Sequence, residues 1–300
     1  MPESTVQQQV RSFYDAVGWK QIGAGVYQNA RYEDLRPVSR DYIHRCHLRL
    51  GSYLPRSGRY FLDAGSGPIQ YPEYLTYSNG YQRRVCLDIS RLALAEARQR
   101  IGDHGLYVIG DIARLPFRRD AFDGGASLHT LHHLPASEQA TALAEFVRCL
   151  KPGGRVGVVY SWGEHAGIVR WTRPLVWLAE WLRHAARGLS RRSSSGNAAE
   201  QGEVAKLLHA PGSFTFKHDF AWAARTLEPL GEWRIVVWRS VSTAMLRALV
   251  HPLGFGRAGL RLLLALENLA PQTFGRHGAY SSLLITKPEA ASSAAEGAQG

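Results

Sequence analysis

One short stretch near the start of the chain, RYFLDAGSGPIQYPEY at residues 59–74, constrains the fold more than any other segment. An apolar run ends at Asp63, and Gly65 and Gly67 follow at once. A strand with an acidic tip and a glycine turn is typical of a strand that leads into a helix beside a ligand, because glycine lacks a Cβ and tolerates a positive φ. The segment therefore predicts alternating strands and helices, with a ligand next to the turn.

The same turn indicates which chemical group it faces. A phosphate-binding fingerprint would read GxGxxG, but Gln70 stands at the third glycine position and Pro68 has no N–H to offer. An acidic strand tip would also repel a phosphate and attract an ammonium or sulfonium group. The turn therefore predicts a cationic ligand group.

Two further strand ends carry acids. The segment RRVCLDIS (83–90) ends in Asp88, which suits a bidentate hydrogen bond to two ribose hydroxyls. Asp88 could instead be an ordinary helix N-cap, although Ser90 is the better candidate for that role. The segment GLYVIGDIARLPF (105–117) places Asp111 where it could accept from an adenine amine, with Ile112 packing on the ring.

Five segments in order, FLDAGSG, VCLDIS, GDIARLPF, FDGGASLHTLHHL and LKPGG, resemble the motif set of the class I S-adenosylmethionine-dependent methyltransferases. The resemblance is closest to the small-molecule enzymes of the ubiquinone and menaquinone biosynthesis type, and it covers residues 10–160 well. It implies methyl transfer with S-adenosylmethionine as cofactor. It also implies an α/β, Rossmann-like fold: a seven-stranded, mostly parallel sheet with helices on both faces and helical lid insertions. The last strand of this sheet is expected to be antiparallel and to insert between its neighbours.

The resemblance also implies roles for single residues. The backbone of Gly65 and Gly67 would face the methionine part of the cofactor, and Leu128 with His129 would form the floor under the sulfonium. Tyr14 would cap the pocket, with a core aromatic as the alternative. The predicted cofactor-binding residues are Tyr14, Asp63, Gly65, Ser66, Gly67, Asp88, Ile89, Asp111, Ile112, Leu128 and His129. No metal site is predicted, because the three cysteines are scattered and show no ligand spacing.

The general base is predicted among the histidines. His165 follows the fifth strand and points towards the expected position of the acceptor, and His129 is the other candidate. His132 and His133 fit the packing at the start of the next helix better than they fit chemistry.

The organisation of the chain is uneven. The prediction is one methyltransferase domain over residues 1–289, with a flexible loop at 193–203 and a disordered tail at 290–300. Its parts are a helical N-terminal cap (1–58), a cofactor-binding half (59–160), and two helical insertions that form a substrate lid (161–215 and 243–277).

A basic, tryptophan-rich helix is predicted around residues 171–189. The net charge of the chain is +11, and residues 165–300 carry the larger share of it. One interpretation is a lid that buries its stripe on the core or over the substrate pocket. The other is peripheral attachment to an anionic membrane, with the tryptophans at the interface. The stripe consists of Trp171, Leu175, Leu178, Leu182, Ala185 and Leu189.

Function is therefore predicted as methyl transfer to a small-molecule or lipid-linked acceptor, at oxygen or carbon. A nucleic-acid methyltransferase is the alternative on charge, but nucleic acid is disfavoured as a partner because no NPPY or PC motif is present. A non-catalytic, methyltransferase-like binding protein is the third class. The N-terminus lacks the pattern of a signal peptide and no long apolar run exists, which predicts a cytoplasmic protein, peripheral at the membrane under the second interpretation of the helix.

Overall fold

The central sheet explains how the motif segments come together. The structure, a computed structural model, describes residues 5–23, 26–190, 212–251 and 254–289. A small antiparallel hairpin joins β1 (Gln21–Gly23) to β2 (Val26–Tyr27). The strands of the main sheet are β3 (Gly58–Ala64), β4 (Tyr81–Asp88), β5 (Gly105–Ile109), β6 (Phe122–Leu128), β7 (Leu150–Ser161), β8 (Glu232–Arg239) and β9 (Tyr280–Thr286).

The strand order is β5-β4-β3-β6-β7-β9-β8. Pairings from β5 to β7 are parallel, whereas β9 runs antiparallel between β7 and β8. The prediction of a Rossmann-like, mostly parallel seven-stranded sheet with an inserted antiparallel last strand is confirmed. The chain reverses between β3 and β6 in this order, and such switch points are where open α/β sheets bind ligands.

Helices cover both faces of the sheet. Their bounds are α1 (Thr5–Phe13), α2 (Arg40–Arg49), α3 (Arg91–Ile101), α4 (Ala136–Cys149), α5 (Gly167–Ser190), α6 (Phe220–Leu227), α7 (Thr243–Leu249), α8 (Gly256–Leu269) and α9 (Pro271–His277). Successive residues of β3 point to opposite faces: Phe61 packs with the α3 side, and Leu62 packs with α4 and α6. Ser90 caps α3 by accepting from the backbone N–H of Ala93 at 3.0 Å, as the sequence favoured.

Helix α5 corrects one of the two interpretations of the basic segment. Its stripe from Trp171 to Leu182 is exposed, and half-buried residues, among them Val169, Thr172 and Val176, lie on another face. The stripe is therefore not buried on the core. The predicted loop at 193–203 and tail at 290–300 lie outside the described residues. Among the helices that the structure describes, none has the length and apolar character needed to cross a membrane.

Candidate active site

A cavity of about 350 Å³ opens at the carboxyl ends of the parallel strands. The turn after β3, the tip of β4, the loop after β5 and the end of β6 all line it, which is where the topology of an open α/β sheet places a ligand. The predicted residues that line it are Tyr14, Gly65, Ser66, Gly67, Asp88, Ile89, Asp111, Ile112, Leu128 and His129.

The glycine turn has no room for side chains. Gly65 and Gly67 have positive φ angles of 72° and 54°, a region that non-glycine residues rarely adopt. A Cβ on Gly65 would lie 2.3 Å from the Cγ2 atom of Thr130, whose hydroxyl donates to the Gly65 carbonyl at 3.1 Å. Only glycine therefore fits at position 65.

The amides of this turn are already bonded within the chain. The N–H groups of Gly65 and Ser66 donate to the carbonyl of Leu87, and the N–H of Gly67 donates to the Asp88 carboxylate at 2.8 Å. Pro68 has no N–H. No amide from Gly65 to Pro68 is left for a phosphate, in agreement with the sequence argument.

Asp88 is the acid best placed for a cofactor diol. Its Oδ2 accepts from Gly67 and its Oδ1 accepts from the N–H of Ser90 at 2.8 Å, which fixes the carboxylate at the cavity wall. Each oxygen keeps a further lone pair. Burial raises the pKa of Asp88 to about 6, against the lowering effect of the two backbone N–H donors. Two hydroxyls donating from the cavity would stabilise the charged form further, so the site fits a ribose.

Asp111 lines the neighbouring part of the cavity. Its Oδ1 accepts from the N–H of Ala113 at 2.8 Å, and its Oδ2 accepts from the side-chain amide of Gln7 at 2.5 Å. The α1 residue Gln7 was not predicted from the sequence. Both oxygens of Asp111 therefore already accept one hydrogen bond from within the chain.

The N-terminal segment forms part of the cavity wall. Burial lowers the pKa of His133 to about 4, so its ring is neutral near pH 7. Its Nδ1–H donates to the carbonyl of Phe214 at 2.7 Å, and its Nε2 accepts from the Tyr14 hydroxyl at 2.9 Å. Tyr14 also stacks on Trp19, with ring centroids 4.9 Å apart. His133 thus joins the N-terminal segment to the chain after residue 211, and Tyr14 lines the cavity.

His129 lines the cavity directly after the end of β6. Its φ is 57°, an uncommon value for a histidine, and its backbone N–H donates to the carbonyl of Val159 at 3.1 Å. The ring packs against Trp238 with centroids 4.6 Å apart, and its Nε2 is buried with no hydrogen-bond partner. Burial lowers its pKa to about 3. His129 is therefore a neutral, strained residue, a feature that clusters at functional sites.

A buried ion pair lies at the cavity wall near His129. Glu33 lines the cavity, and its Oε2 accepts from the guanidinium of Arg239 at 2.8 Å. Burial alone would raise the pKa of Glu33, but Arg239 and His47 outweigh it and the net direction is down. Glu33 is consequently a carboxylate at neutral pH.

Two predicted site residues lie elsewhere. Asp63 is buried and does not line the cavity: its Oδ2 accepts from both Nε and Nη2 of Arg84, at 3.0 and 2.6 Å. The strand-tip acid is therefore neutralised by a salt bridge and does not face a ligand. His165 is exposed in the turn Gly163–His165 and is absent from the cavity wall, because that turn leads the chain outward into α5. The geometry leaves His129 as the remaining predicted base.

Sequence reasoning missed several cavity residues. Most lie in the N-terminal cap, in the stretch after residue 211, or at strand ends that carry no motif. They include Gln7, Trp19, Glu33, Gln70, Tyr71, Lys217 and Tyr280. The aromatic and amide residues of the segment 70–74 were the available signal, since they directly follow the glycine turn.

Known proteins resemble the motif-bearing half. The family model described as "Methyltransferase domain" matches residues 62–158. The ubiquinone/menaquinone biosynthesis C-methyltransferase UbiE of Paracoccus denitrificans is 30% identical over 142 residues, which is 43% of this chain and 54% of that protein. The phthiotriol/phenolphthiotriol dimycocerosates methyltransferase 1 of Mycobacterium ulcerans is 30% identical over 139 residues, 43% of this chain and 50% of that protein. The chain thus spans about half the length of the curated relatives it matches.

The fold has solved counterparts. A putative methyltransferase of Haloferax volcanii, determined in complex with the Trm112 methyltransferase activator, aligns with a TM-score of 0.51 at 17% identity. The alignment covers 94% of this chain and 98% of that one. At this identity the match concerns the fold alone, and the fold extends over both halves of the chain.

Proposed function

Because the chain belongs to the class I S-adenosylmethionine-dependent methyltransferases, of the small-molecule type, we propose that it transfers a methyl group to a small-molecule or lipid-linked acceptor, at oxygen or carbon. One observation carries the proposal: a half-buried carboxylate, Asp88, lines the cavity beside a glycine turn with no free amide from Gly65 to Pro68. That arrangement suits a ribose attached to a cationic, phosphate-free group.

The residues present divide the work of holding the cofactor. Asp88 would accept from the ribose hydroxyls, Asp111 and Ile112 would contact the adenine, and Leu128 and His129 would lie under the methionine end. When bound, S-adenosylmethionine supplies an electrophilic methyl group on a sulfonium. Displacement at such a centre needs orientation and exclusion of water more than covalent help. Tyr14 and Trp19 provide that exclusion at the N-terminal side.

The part of the cavity lined by Glu33, Tyr71, His129 and Tyr280, here called the acceptor end, holds two groups that can accept a proton. Glu33 is ionised and His129 is neutral, and both line the cavity with Tyr280 and Tyr71. A hydroxyl entering this end could donate to either group while a lone pair of its oxygen faces the floor residues. The low pKa of His129 makes it a weak proton acceptor, so we assign it chiefly to orienting the acceptor, with proton removal assisted by the charge of Glu33.

Substitutions at His129 and His165 are expected to have different effects on kcat. Asparagine tolerates a positive φ, so His129→Asn keeps the backbone while removing the imidazole. We expect His129→Asn to lower kcat by about tenfold or more, since an acceptor that loses its orienting contact is misplaced relative to the methyl group. His165→Ala, at an exposed position, should leave kcat within about twofold. Turnover is followed as S-adenosylhomocysteine released with quinol, phenol or hydroxylated lipid acceptors. A large loss in His165→Ala with none in His129→Asn would reverse the assignment.

Cofactor choice separates the competing functions. We expect isothermal titration of the full chain to give a dissociation constant for S-adenosylmethionine at least about a hundredfold below that for NAD, because no amide from Gly65 to Pro68 remains for a pyrophosphate. Preference for NAD would overturn the proposal. Binding without turnover on any acceptor would favour the non-catalytic protein, and turnover on RNA would favour the nucleic-acid methyltransferase.

The lipid-linked version of the acceptor has its own support. The protein from M. ulcerans is named for methylating phthiotriol and phenolphthiotriol dimycocerosates. This chain adds exposed tryptophans and arginines on α5. Peripheral contact of a cytoplasmic protein with an anionic membrane is the corollary of such an acceptor.

A further inference from the structure

Helix α5 exposes more apolar surface than a helix at a protein surface ordinarily does. Trp171, Trp177 and Trp181 are 85%, 66% and 55% exposed, and three leucines share the surface. Contiguous exposed apolar patches of this kind mark interaction sites in soluble proteins. The leucines are Leu175, Leu178 and Leu182.

The helix uses a different face to attach to the domain. Val169, Thr172 and Val176 recur at helical spacing and are half-buried, and Val169 packs against the main core. The stripe from Trp171 to Leu182 recurs at the same spacing on the outward side. The contacts of α5 with the domain therefore do not involve the three tryptophans, whose exposed rings are available to another partner.

Positive charge accompanies the aromatic rings. Arg170 and Arg173 are exposed and share one flank of the helix with Trp177, at positions i, i+3 and i+7. Within Gly167–Ala185, where the side chains of the helix are described, Glu180 is the only acidic residue. Helices that carry tryptophan and leucine beside arginine bind the interface of anionic bilayers.

Helix α7 links α5 to α8. Helix α5 packs on α7, and the guanidinium of Arg183 donates to the carbonyl of Arg247 at 3.1 Å. Leu246 of α7 packs in turn on Leu260 of α8. Phe255, directly before α8, is 85% exposed.

Helix α7 contacts the wall of the cavity. The guanidinium of Arg247 donates to the carbonyls of Arg31 and Glu33, at 2.8 Å each, and the Thr243 hydroxyl donates to the carbonyl of Tyr32. Tyr32 and Glu33 line the cavity, and Tyr32 is 46% exposed. The exposed surface is therefore connected, through α7, to the partly exposed residue at the acceptor end.

We propose that the outward face of α5, with its three tryptophans and the Arg170–Arg173 flank, docks the protein on an anionic lipid bilayer. The docked face places Tyr32 and the acceptor end of the cavity beside the headgroups. The consequence for a lipid-linked acceptor rests on the proposed function, whereas the docking surface stands on α5 itself. Vesicle binding and cofactor binding are measured separately, so failure of one is distinguishable from failure of the other.

The test is flotation of the full chain with vesicles of phosphatidylcholine alone or containing about 30 mol% phosphatidylglycerol. We expect binding to the anionic vesicles only, weakened as salt rises from about 0.05 M to 0.5 M. The triple variant Trp171→Ser/Trp177→Ser/Trp181→Ser should bind at least about tenfold more weakly. Arg170→Glu/Arg173→Glu should lose at least about tenfold, since each basic residue near the surface is worth about fivefold.

The matched control replaces Leu92 and Leu106, exposed leucines on α3 and β5, by serine. This double variant should bind vesicles as the unaltered chain does. All variants should keep their affinity for S-adenosylmethionine, which shows that they are folded. Equal binding by the tryptophan variant, equal binding to neutral vesicles, displacement by poly(U) RNA, or a dimer in solution that covers the tryptophans would each overturn the proposal.

Discussion

Asp88→Asn should weaken S-adenosylmethionine binding by at least about a hundredfold, because hydrogen bonds to a charged group contribute about 1.5–3 kcal/mol each and two ribose hydroxyls are involved. Asparagine has one acceptor oxygen where the carboxylate has two. Its NH₂ group would face one of the two N–H donors, from Gly67 or Ser90, that now approach the carboxylate. Isothermal titration measures the loss.

Asp103→Asn serves as the control for Asp88→Asn. Asp103 is an exposed acid in the turn Gly102–His104 and does not line the cavity. It should bind the cofactor as the unaltered chain does. Retained affinity in Asp88→Asn would remove Asp88 from the site.

The pH profile of the unaltered chain gives the same information without a substitution. Burial raises the pKa of Asp88 to about 6, so the carboxyl takes up a proton as pH falls through that value. Cofactor hydroxyls donate to the ionised form, and affinity should therefore be about tenfold lower at pH 5 than at pH 7.5. Asp88→Asn should show a flat profile over this range. A flat profile for the unaltered chain would mean that Asp88 does not hold the ribose.

Gly65→Ala should destabilise the fold by about 3 kcal/mol and abolish cofactor binding. The residue has a positive φ, which costs a side chain about 1–2 kcal/mol, and the added Cβ would lie 2.3 Å from Thr130. Relief of that contact would move the turn that lines the cavity. Urea unfolding and titration with S-adenosylmethionine measure the two effects.

Gly102 offers a matched control for Gly65. Its φ is also positive, at 59°, yet a Cβ there would meet nothing within 4 Å. With ψ at −136° its backbone conformation is one that side chains rarely adopt, so Gly102→Ala should cost about 1–3 kcal/mol of stability but leave cofactor binding intact. An equal loss of cofactor affinity in the two variants would show that conformation, and not the contact with Thr130, decides the outcome at position 65.

The motif-bearing half could be predicted because its constraints are local. Each strand, its terminal acid and the following turn lie within a few residues, as at Asp88 and Ser90. The prediction that Asp63 faces the ligand was wrong because its decisive contact is not local. Its partner Arg84 comes from the neighbouring strand, and only the parallel register of β3 on β4 brings the two together.

The acceptor end could not be predicted because its parts are distant in sequence. Glu33 precedes the first strand of the main sheet, and its partner Arg239 ends β8. No periodicity links them. Helix α5 posed a different difficulty: it carries apolar residues on more than one face, so spacing alone did not reveal which face packs on the domain.

The position of β9 affects how the main sheet can fold during synthesis of the chain. Within the main sheet β8 pairs only with β9, which also pairs with β7. During synthesis, β8 therefore emerges with no strand to join, and the open edge of β7 waits until residue 286 has been added. Exposed edges of this kind are templates for aggregation, and sheets that close through distant segments form slowly. A chain cut short before β9 would leave one edge of β7 open and β8 without any partner strand.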